Sequence, residues 1–307
     1  MFYLLLAILC GSLFSIVFKL CQMHRVDGLQ VIFLNYTLAF LFTLLPILGR
    51  VIFNPDVAAS DYIPAPFSWM LAFVQGLFFA FGFCVMDGST RRTGVALTTV
   101  CARASLVLPV LLSWMLLGQP APAWLPVILT VVAMILIIGP TGSGTDKPQV
   151  AVRAPARHAT MLALLGVFFV MGSSDFFLKV VQHSVERGHS ADPVMMERQL
   201  SALTCIIFLM ASLASLVVCL VTGSFRKHKV TWATVWWGAL LGFANIGCTA
   251  CMLRALGVMP TGVYYPLYNI GIVLVAALAG VLFFKERLKW VQVAGLALAV
   301  AAIALSF

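Results

Sequence analysis

Charged residues are scarce in this chain: Asp, Glu, Lys and Arg make up 9% of its 307 positions, against roughly 25% in an ordinary soluble domain. Apolar residues make up 62%, which is more than a soluble fold of this length can remove from its surface. The composition excludes a cytosolic enzyme, a disordered chain and a secreted disulfide scaffold. The sequence therefore predicts an integral membrane protein that crosses the bilayer many times.

The chain also lacks the motifs of common enzyme and cofactor sites. It has no Gly-rich phosphate loop, no H-E-x-x-H, no G-x-S-x-G and no pair of aspartates within an apolar run. Its five histidines fall in loops or at the ends of apolar runs, and its eight cysteines are scattered, apart from one C-x-x-C at Cys248 and Cys251. We therefore expect no enzyme activity, cofactor or metal site, and we interpret the cysteines as packing residues.

Acidic residues are fewer than basic ones, and the formal net charge is +9. The basic residues lie in short groups between apolar runs, which is typical of loops that face anionic lipid headgroups rather than of a nucleic-acid-binding surface. The first apolar run, 2–18, has no basic segment before it and no small-residue cleavage site after it. We expect it to be a retained helix rather than a signal peptide.

Apolar runs separated by charges, prolines and glycines predict an all-α membrane protein with ten transmembrane helices. One connection, 140–158, is rich in Gly, Pro, Ser and charge, and we interpret it as a linker between two five-helix halves, 1–139 and 159–307. The predicted spans are 2–20, 28–49, 67–87, 94–117, 122–139, 159–182, 194–222, 232–256, 262–284 and 289–307.

Two halves with five spans each would enter the membrane from opposite sides, which predicts an inverted repeat. The halves share several features in the same order, and together these favour a duplication. They are Ser15 and Lys19 against Asp175 and Lys179, each pair four residues apart; Thr93-Gly94-Val95 against Thr261-Gly262-Val263; and Trp124 against Trp290.

The last two spans resemble the end of an EamA-type repeat of the drug/metabolite transporter superfamily. The resemblance rests on the stretch from Thr261 through Phe283-Phe284-Lys285-Glu286-Arg287-Leu288 to Gly295 and Ala304. Spans four and five resemble a first copy, with Pro109, Leu116-Leu117-Gly118-Gln119 and the run from Trp124 to Gly139, although Gln119 replaces the usual Glu. The resemblance implies two EamA-like five-helix repeats in the plasma (inner) membrane and a transport function.

The distribution of basic residues and the family resemblance imply opposite orientations of the chain in the membrane. Thirteen basic residues lie in or beside the connections after spans one, three, five, seven and nine. The positive-inside rule places these connections in the cytoplasm and both termini outside. The resemblance to ten-helix transporters implies termini inside, so both orientations stay open.

Arg103 is the deepest charged residue in the predicted spans. It lies nine residues into span 94–117, which is ~13.5 Å along a helix and close to the bilayer midplane. An ionisable group at that depth costs ~2.5–3.5 kcal/mol on insertion scales, so it needs a partner. One candidate partner is a carboxylate or phosphate group of a substrate. The other is the carboxylate of Asp175 or Glu197, which would form a structural ion pair with Arg103.

Four further charged residues are candidates for ion coupling or gating. Asp175 and Lys179 lie four residues apart on one helix face, where they either pair with each other or leave Asp175 to carry a proton. Lys19 matches Lys179 in the repeat and is interpreted as an interfacial lysine or a gating residue. Glu197 begins span seven beside Arg198, where it either forms an interfacial pair or lines a cavity.

Amides and tyrosines complete the candidate set. Asn245 and Asn269 lie within spans, where an amide either bonds to a neighbouring helix or contacts a substrate. Tyr265 and Tyr268 flank Pro266, which frees a backbone carbonyl. These tyrosines either line a cavity or belong to an interfacial aromatic belt.

Together these features predict a secondary transporter, an exporter or exchanger of small metabolites such as amino acids, that works by alternating access with proton or other ion coupling. We expect its cavity near Arg103, Asp175, Asn245 and Tyr268. The alternatives are a multidrug or cation efflux transporter, a flippase of lipid-linked substrates and a structural partner subunit. The expected partners are a small-molecule substrate and the lipid bilayer, with no nucleic acid, and the expected state is a monomer or a homodimer.

Overall fold

The computed structural model describes residues 1–23, 26–93, 95–138, 157–189, 192–284 and 289–305. Across these residues the chain is helical and contains no strand. The helices are α1 (Phe2–Met23), α2 (Gly28–Phe53), α3 (Pro66–Thr93), α4 (Val95–Ala104), α5 (Val107–Leu117), α6 (Trp124–Ile138), α7 (Arg157–His189), α8 (Pro193–Thr222), α9 (Ser224–Lys227), α10 (Trp232–Val258), α11 (Thr261–Phe284) and α12 (Trp290–Ala304), with a 3₁₀ turn at Ala59–Tyr62.

Within the described residues, six helical segments are long and apolar enough to cross a membrane. They are Gly28–Phe53, Pro66–Thr90, Thr98–Leu117, Thr160–His189, Pro193–Thr222 and Trp232–Val258. Four shorter apolar helical segments are Phe2–Leu13, Trp124–Ile138, Thr261–Val275 and Trp290–Ala304. The predicted helical class is therefore confirmed, and the long apolar helices are consistent with a membrane protein. The count of ten spans stays a prediction.

Local sequence sets the ends of several helices. Asp27 caps α2, because its Oδ1 accepts hydrogen bonds from the backbone N–H groups of Leu29 at 2.9 Å and Gln30 at 3.1 Å. Asp192 caps α8 in the same way, with Pro193 in the first helical turn. Gly118 and Gly223 end α5 and α8 with positive φ angles of 64° and 68°, which glycine adopts without steric cost.

The apolar segment Thr98–Leu117 is interrupted in its middle. Helix α4 ends at Ala104 and α5 begins at Val107, with Ser105 and Leu106 buried between them. Pro109 has no N–H for the Ser105 carbonyl, which lies four residues earlier, and its ring crowds that carbonyl. The Ser105 oxygen accepts instead from the N–H of Leu108 at 2.9 Å. The proline therefore accounts for the break at Ser105 and Leu106, in the turn that follows Arg103.

The chain forms two compact units, and neither is a simple half of the sequence. Unit 1 comprises Met1–Ala80 and Phe177–Val258, and unit 2 comprises Phe81–Phe176 and Met259–Phe307. In unit 1, α2 packs against α8 and α10, and α10 also packs against α1. In unit 2, α6 packs against α12 and α11. The predicted repeats, 1–139 and 159–307, are halves of the sequence that would have arisen by duplication, and they are not the same as these compact units. The duplication stays a prediction.

Candidate functional site

Arg103 lies in the last turn of α4, just before the interruption, and is partly exposed. Its Nη1 donates a hydrogen bond of 3.2 Å to Oδ1 of Asn269 on α11. The Asn269 side chain is 3% exposed, and its Nδ2 donates to the Tyr265 carbonyl at 3.0 Å. Because that carbonyl can only accept, it fixes the Asn269 amide with its oxygen towards Arg103.

Tyr265 links α11 to α7. Its side chain is fully buried, and its hydroxyl donates to the backbone carbonyl of Asp175 at 2.5 Å. Asp175 is partly buried, and the charge of the Arg103 guanidinium acts on its carboxyl group. Arg103, Asp175, Tyr265 and Asn269 are therefore brought together within unit 2 by α4, α7 and α11. We call these four residues the Arg103 cluster.

The tyrosines around Pro266 pack against one another. The rings of Tyr264 and Tyr268 are stacked, with centroids 5.5 Å apart and an interplanar angle of 11°. The ring of Tyr264 meets that of Tyr265 edge to face at 5.3 Å. All three side chains are buried, which favours an interior position over the alternative of a lipid-facing aromatic belt.

Helix α7 approaches the interruption very closely at Gly172. A Cβ atom at this position would lie 2.8 Å from the Ser105 carbonyl oxygen and 2.6 Å from a methyl carbon of Leu108. Only a residue without a side chain allows this approach. Gly172 carries no signal of this role in the sequence, because its importance depends on a contact with residues that are distant in the chain.

Lys179 is held in unit 1 by two neutral oxygens. Its side chain is 2% exposed, and its Nζ donates to Gln182 Oε1 at 2.6 Å and to the Leu256 carbonyl at 2.7 Å. Leu256 lies in the last turn of α10, where carbonyls have no partner within the helix. Lys179 therefore caps the end of α10. Its ammonium group makes these two bonds in place of the ion pair with Asp175 that the spacing of four residues allows.

The Gln182 amide continues this polar network along α7. Its Nε2 donates to Glu186 Oε2 at 3.1 Å, and Glu186 in turn lies 3.7 Å from Nδ1 of His183. Gln182 is not among the residues predicted from the sequence, because a glutamine within an apolar run carries no charge to mark it. The network leads from buried Lys179 to the partly exposed end of the helix.

Glu197 and Arg198 have separate partners in unit 1. Glu197 pairs with Arg254 Nη2, and Arg198 Nη1 lies 2.6 Å from Asp61 Oδ2. Adjacent residues on a helix point about 100° apart, so the expected Glu197–Arg198 pair does not form. The partner of Glu197 within unit 1 is therefore Arg254 rather than its chain neighbour.

Asn245 and Lys19 are the remaining predicted residues. Asn245 belongs to unit 1, where its Nδ2 donates to Asn35 Oδ1 at 3.4 Å, as expected of an amide that joins two membrane helices. The Lys19 side chain lies outside the part of the chain that the structure describes. Among the described residues, no group of three or more His, Cys, Asp and Glu side chains could hold a metal ion.

Similar proteins provide information on the fold of the chain, and none on the roles of the site residues. The chain is similar to an uncharacterised protein of Haemophilus influenzae, with 24% identity over 308 residues that cover 98% of this chain and 95% of that protein. It is also similar to a chain of known crystal structure, with a TM-score of 0.72, 14% identity and coverage of 99% of this chain and 95% of that one. No protein-family model matches the chain. At 14% identity, the structural likeness shows a shared fold alone.

Proposed function

We propose that the chain is a secondary transporter of the drug/metabolite type that moves a small polar metabolite across the plasma (inner) membrane by alternating access. The observation that supports this proposal is the Arg103 cluster at a break in an apolar helix. Secondary transporters bind their substrates where membrane helices are interrupted. The backbone groups freed there, and the polar side chains beside them, face protein or a cavity rather than lipid, so they can bind a substrate. A charge within a membrane helix is also a marker of function, since it is costly to retain.

The chemistry of the cluster favours a substrate with an anionic group. Arg103 has five N–H donors, and within the described residues one hydrogen bond, to Asn269, is made by its guanidinium. The remaining donors suit a carboxylate or phosphate, which the planar guanidinium binds through two parallel hydrogen bonds. Asp175 supplies a carboxyl group in the same cluster. A zwitterion such as an amino acid would match both charges.

Asp175 is the proposed proton carrier of this transporter. A coupled exchanger needs a carboxyl group in the membrane that binds and releases a proton during the cycle. Asp175 has the guanidinium of Arg103 as its neighbouring charge, so substrate binding to Arg103 would change the electrostatic environment of the carboxyl group. This arrangement would link substrate binding to proton binding through the charges of the cluster.

A thermal-shift screen of the purified protein tests the substrate site. The probes are amino acids, sugars, nucleosides, organic anions and lipophilic cations, and a ligand at a hundred times its Kd stabilises the folded state by about 2.7 kcal/mol. We expect an anionic or zwitterionic metabolite to raise the Tm of the wild type and of Arg187→Gln, an exposed arginine of unit 1. The same metabolite should leave the Tm of Arg103→Gln unchanged.

Two outcomes would count against this proposal. If lipophilic cations stabilise the wild type and Arg103→Gln equally, the protein is better explained as a drug efflux transporter and Arg103 as a structural residue. If Asp175→Asn in proteoliposomes transports the identified metabolite at the wild-type rate, with the same movement of protons, Asp175 is not the proton carrier.

A further inference from the structure

Among the arginines whose side chains the structure describes, three are partly buried, and their acceptors differ in charge. Arg198 and Arg254 are each bound by a carboxylate. Arg103 is bound instead by the neutral amide oxygen of Asn269, at 3.2 Å, and it forms no ion pair within the described residues. A carboxylate would neutralise the guanidinium, whereas an amide leaves its positive charge in place.

A partly buried guanidinium without an ion pair is costly in a membrane helix, because a charge that is withdrawn from water needs a partner. The carboxyl group of Asp175 interacts with the charge of Arg103 but does not form an ion pair with it among the described residues. An anionic group that bound the guanidinium would supply the missing counter-charge. The amide at position 269 therefore favours a site that is completed by an anion.

Asn269 presents its oxygen from a fixed position. Its side chain is 3% exposed, and its Nδ2 donates at 3.0 Å to the Tyr265 carbonyl, one turn earlier on α11. Tyr265 is itself fully buried, and its hydroxyl is bound to a backbone carbonyl of α7. If the amide turned over, its oxygen would face the Tyr265 carbonyl, and neither of these groups can donate. The oxygen of Asn269 is therefore held towards Arg103.

The two sides of this contact differ in accessibility. The Arg103 side chain is partly exposed, but that of Asn269 is almost completely covered. The amide is also occupied, since its oxygen and its nitrogen each have a partner within the Arg103 cluster. A substrate would therefore meet the guanidinium, and Asn269 would act on the substrate through Arg103 rather than by direct contact.

We propose that Asn269 is a positioning residue that sets the charge selectivity of the Arg103 cluster. Its neutral oxygen orients the guanidinium without neutralising it, so that the positive charge is left for an anionic group of the substrate. This inference rests on the proposed function, because Arg103 must bind the substrate for Asn269 to act through it. The role differs from direct contact with the substrate, which was one of the alternatives for Asn269.

Asn269→Asp tests the charge at this position, because it keeps the size of the side chain and adds a carboxylate beside Arg103. Thermal shift of the full-length protein in detergent measures binding of amino acids, organic anions and lipophilic cations at about pH 8, where an aspartate is ordinarily ionised. We expect the affinity for anionic and zwitterionic probes to fall about tenfold or more, the factor that a hydrogen bond to a charged group contributes. Asn54→Asp, which adds the same charge at an exposed position after α2, should bind these probes as the wild type does.

Two neutral variants separate this role from a structural one. Asn269→Ser keeps a neutral oxygen for Arg103, and its hydroxyl can donate to the Tyr265 carbonyl as the amide does. Asn269→Leu keeps the size of the side chain but has no acceptor. We expect Asn269→Ser to retain most of the affinity for the anionic probes and Asn269→Leu to lose it. A purely structural role predicts the reverse order for Asn269→Ser and Asn269→Asp, since the first leaves a void in a buried site and the second does not.

The inference and the proposed function fail in different ways. If an anionic or zwitterionic probe binds Asn269→Asp as tightly as the wild type, Asn269 does not set the selectivity and the transport proposal stands. Equal losses of affinity in Asn269→Asp and Asn269→Ser would also overturn the inference, in favour of a structural role. If Asn269→Asp does not fold, equal affinities of Asn269→Ser and Asn269→Leu overturn it. If no anionic or zwitterionic probe stabilises the wild type, the inference and the proposed substrate site fail together.

Discussion

Lys179 and Arg103 are both cations within apolar helices, but their surroundings differ. The Lys179 ammonium is buried and bound by two neutral oxygens at 2.6 and 2.7 Å. The Arg103 guanidinium is partly exposed and makes a longer bond of 3.2 Å to one amide oxygen. The first arrangement stabilises the end of a helix, and the second leaves donors for a ligand. This contrast favours a structural role for Lys179, and its role in gating stays a prediction.

Lys179→Met should lower the free energy of unfolding by about 1–3 kcal/mol, because it leaves the Leu256 carbonyl and Gln182 Oε1 without their buried donor. The favourable interaction of the ammonium with the C-terminal end of α10 is lost as well. Unfolding of the detergent-purified protein by heat or denaturant measures the change. Transport by variants that remain folded should be little affected.

Lys227→Met is the matched control for this prediction. Lys227 also donates to a carbonyl at a helix end, that of Thr222 at 2.9 Å, but it is exposed. Its removal should change the free energy of unfolding by no more than about 0.5 kcal/mol. Equal effects of the two substitutions would show that burial of Lys179 is irrelevant, and lost transport in a fully stable Lys179→Met would restore its role in gating.

At the scale of helices, small residues decide how closely α3 packs against α8. A Cβ atom on Gly76 would lie 2.5 Å from the Ile207 carbonyl oxygen and 2.6 Å from Met210 Cβ. Gly76→Ala should therefore destabilise the protein by about 1–3 kcal/mol, since backbone cannot move aside as a flexible side chain can. The Tm of the purified variant provides the measurement.

Gly49→Ala provides the comparison, because nothing lies within 4 Å of the added methyl group. Alanine also lowers the entropy cost of a helical position, so we expect this variant to be as stable as the wild type or more stable by about 0.5–1 kcal/mol. A similar loss of stability in both variants would contradict the close α3–α8 packing.

Helix α7 packs against the break in span four through Gly172. Gly172→Ala would press on the Ser105 carbonyl and Leu108 and displace the end of α4 that carries Arg103. We expect a fall of about tenfold or more in transport of the substrate found by the screen, since a displacement near 1 Å is enough to disturb a binding geometry.

The control on the same helix is Gly166→Ala, whose added methyl group would meet Val85 at an ordinary 3.7 Å. Radioactive uptake into proteoliposomes, normalised to folded protein, compares the two variants. If Gly172→Ala transports as well as Gly166→Ala does, the contact between α7 and the break has no part in the function.

At the scale of the whole molecule, two pairs of helix contacts within unit 1 agree with the proposed inverted repeat. In the proposal, spans one, two and three correspond to six, seven and eight, that is, α1, α2 and α3 to α7, α8 and α10. Helix α10 packs against α1 and α2. Helix α3 makes the corresponding contacts, with α7 through Phe78 and Phe177 and with α8 through Gly76. Gly242 on α10 likewise approaches the Asn35 carbonyl of α2. These contacts support the duplication, which stays a prediction.

The proposed ten spans predict that Asp56 and Thr145 lie on opposite sides of the membrane. Spans three, four and five separate these positions, and an odd number of crossings changes the side. If the short helix α6 does not cross, two crossings remain and both positions lie on one side. A protease recognition site inserted after Asp56 or after Thr145, in protein reconstituted in sealed vesicles, distinguishes the two cases. Cleavage of both sites after detergent is added provides the control for access.

The sequence by itself determined the class of the protein and the identity of most candidate residues. Apolar runs specify membrane helices because the bilayer has no water to satisfy backbone groups. Local chemistry also fixes helix ends, as Asp192 and Gly223 show for α8. A charged residue in an apolar run is visible without a structure, and for this reason Arg103 and Asp175 could be predicted as candidates.

The tertiary structure alone decided which of these residues meet. Arg103 bonds to Asn269 across 166 positions, Lys179 bonds to Leu256 across 77, and Arg198 binds Asp61 across 137. Helical periodicity gives the face on which a side chain lies, but it does not give the neighbouring helix. The close approach of α7 to the break, at Gly172, is likewise a contact between residues far apart in the chain. Partners between distant helices are set by packing, and packing is a property of the folded chain as a whole.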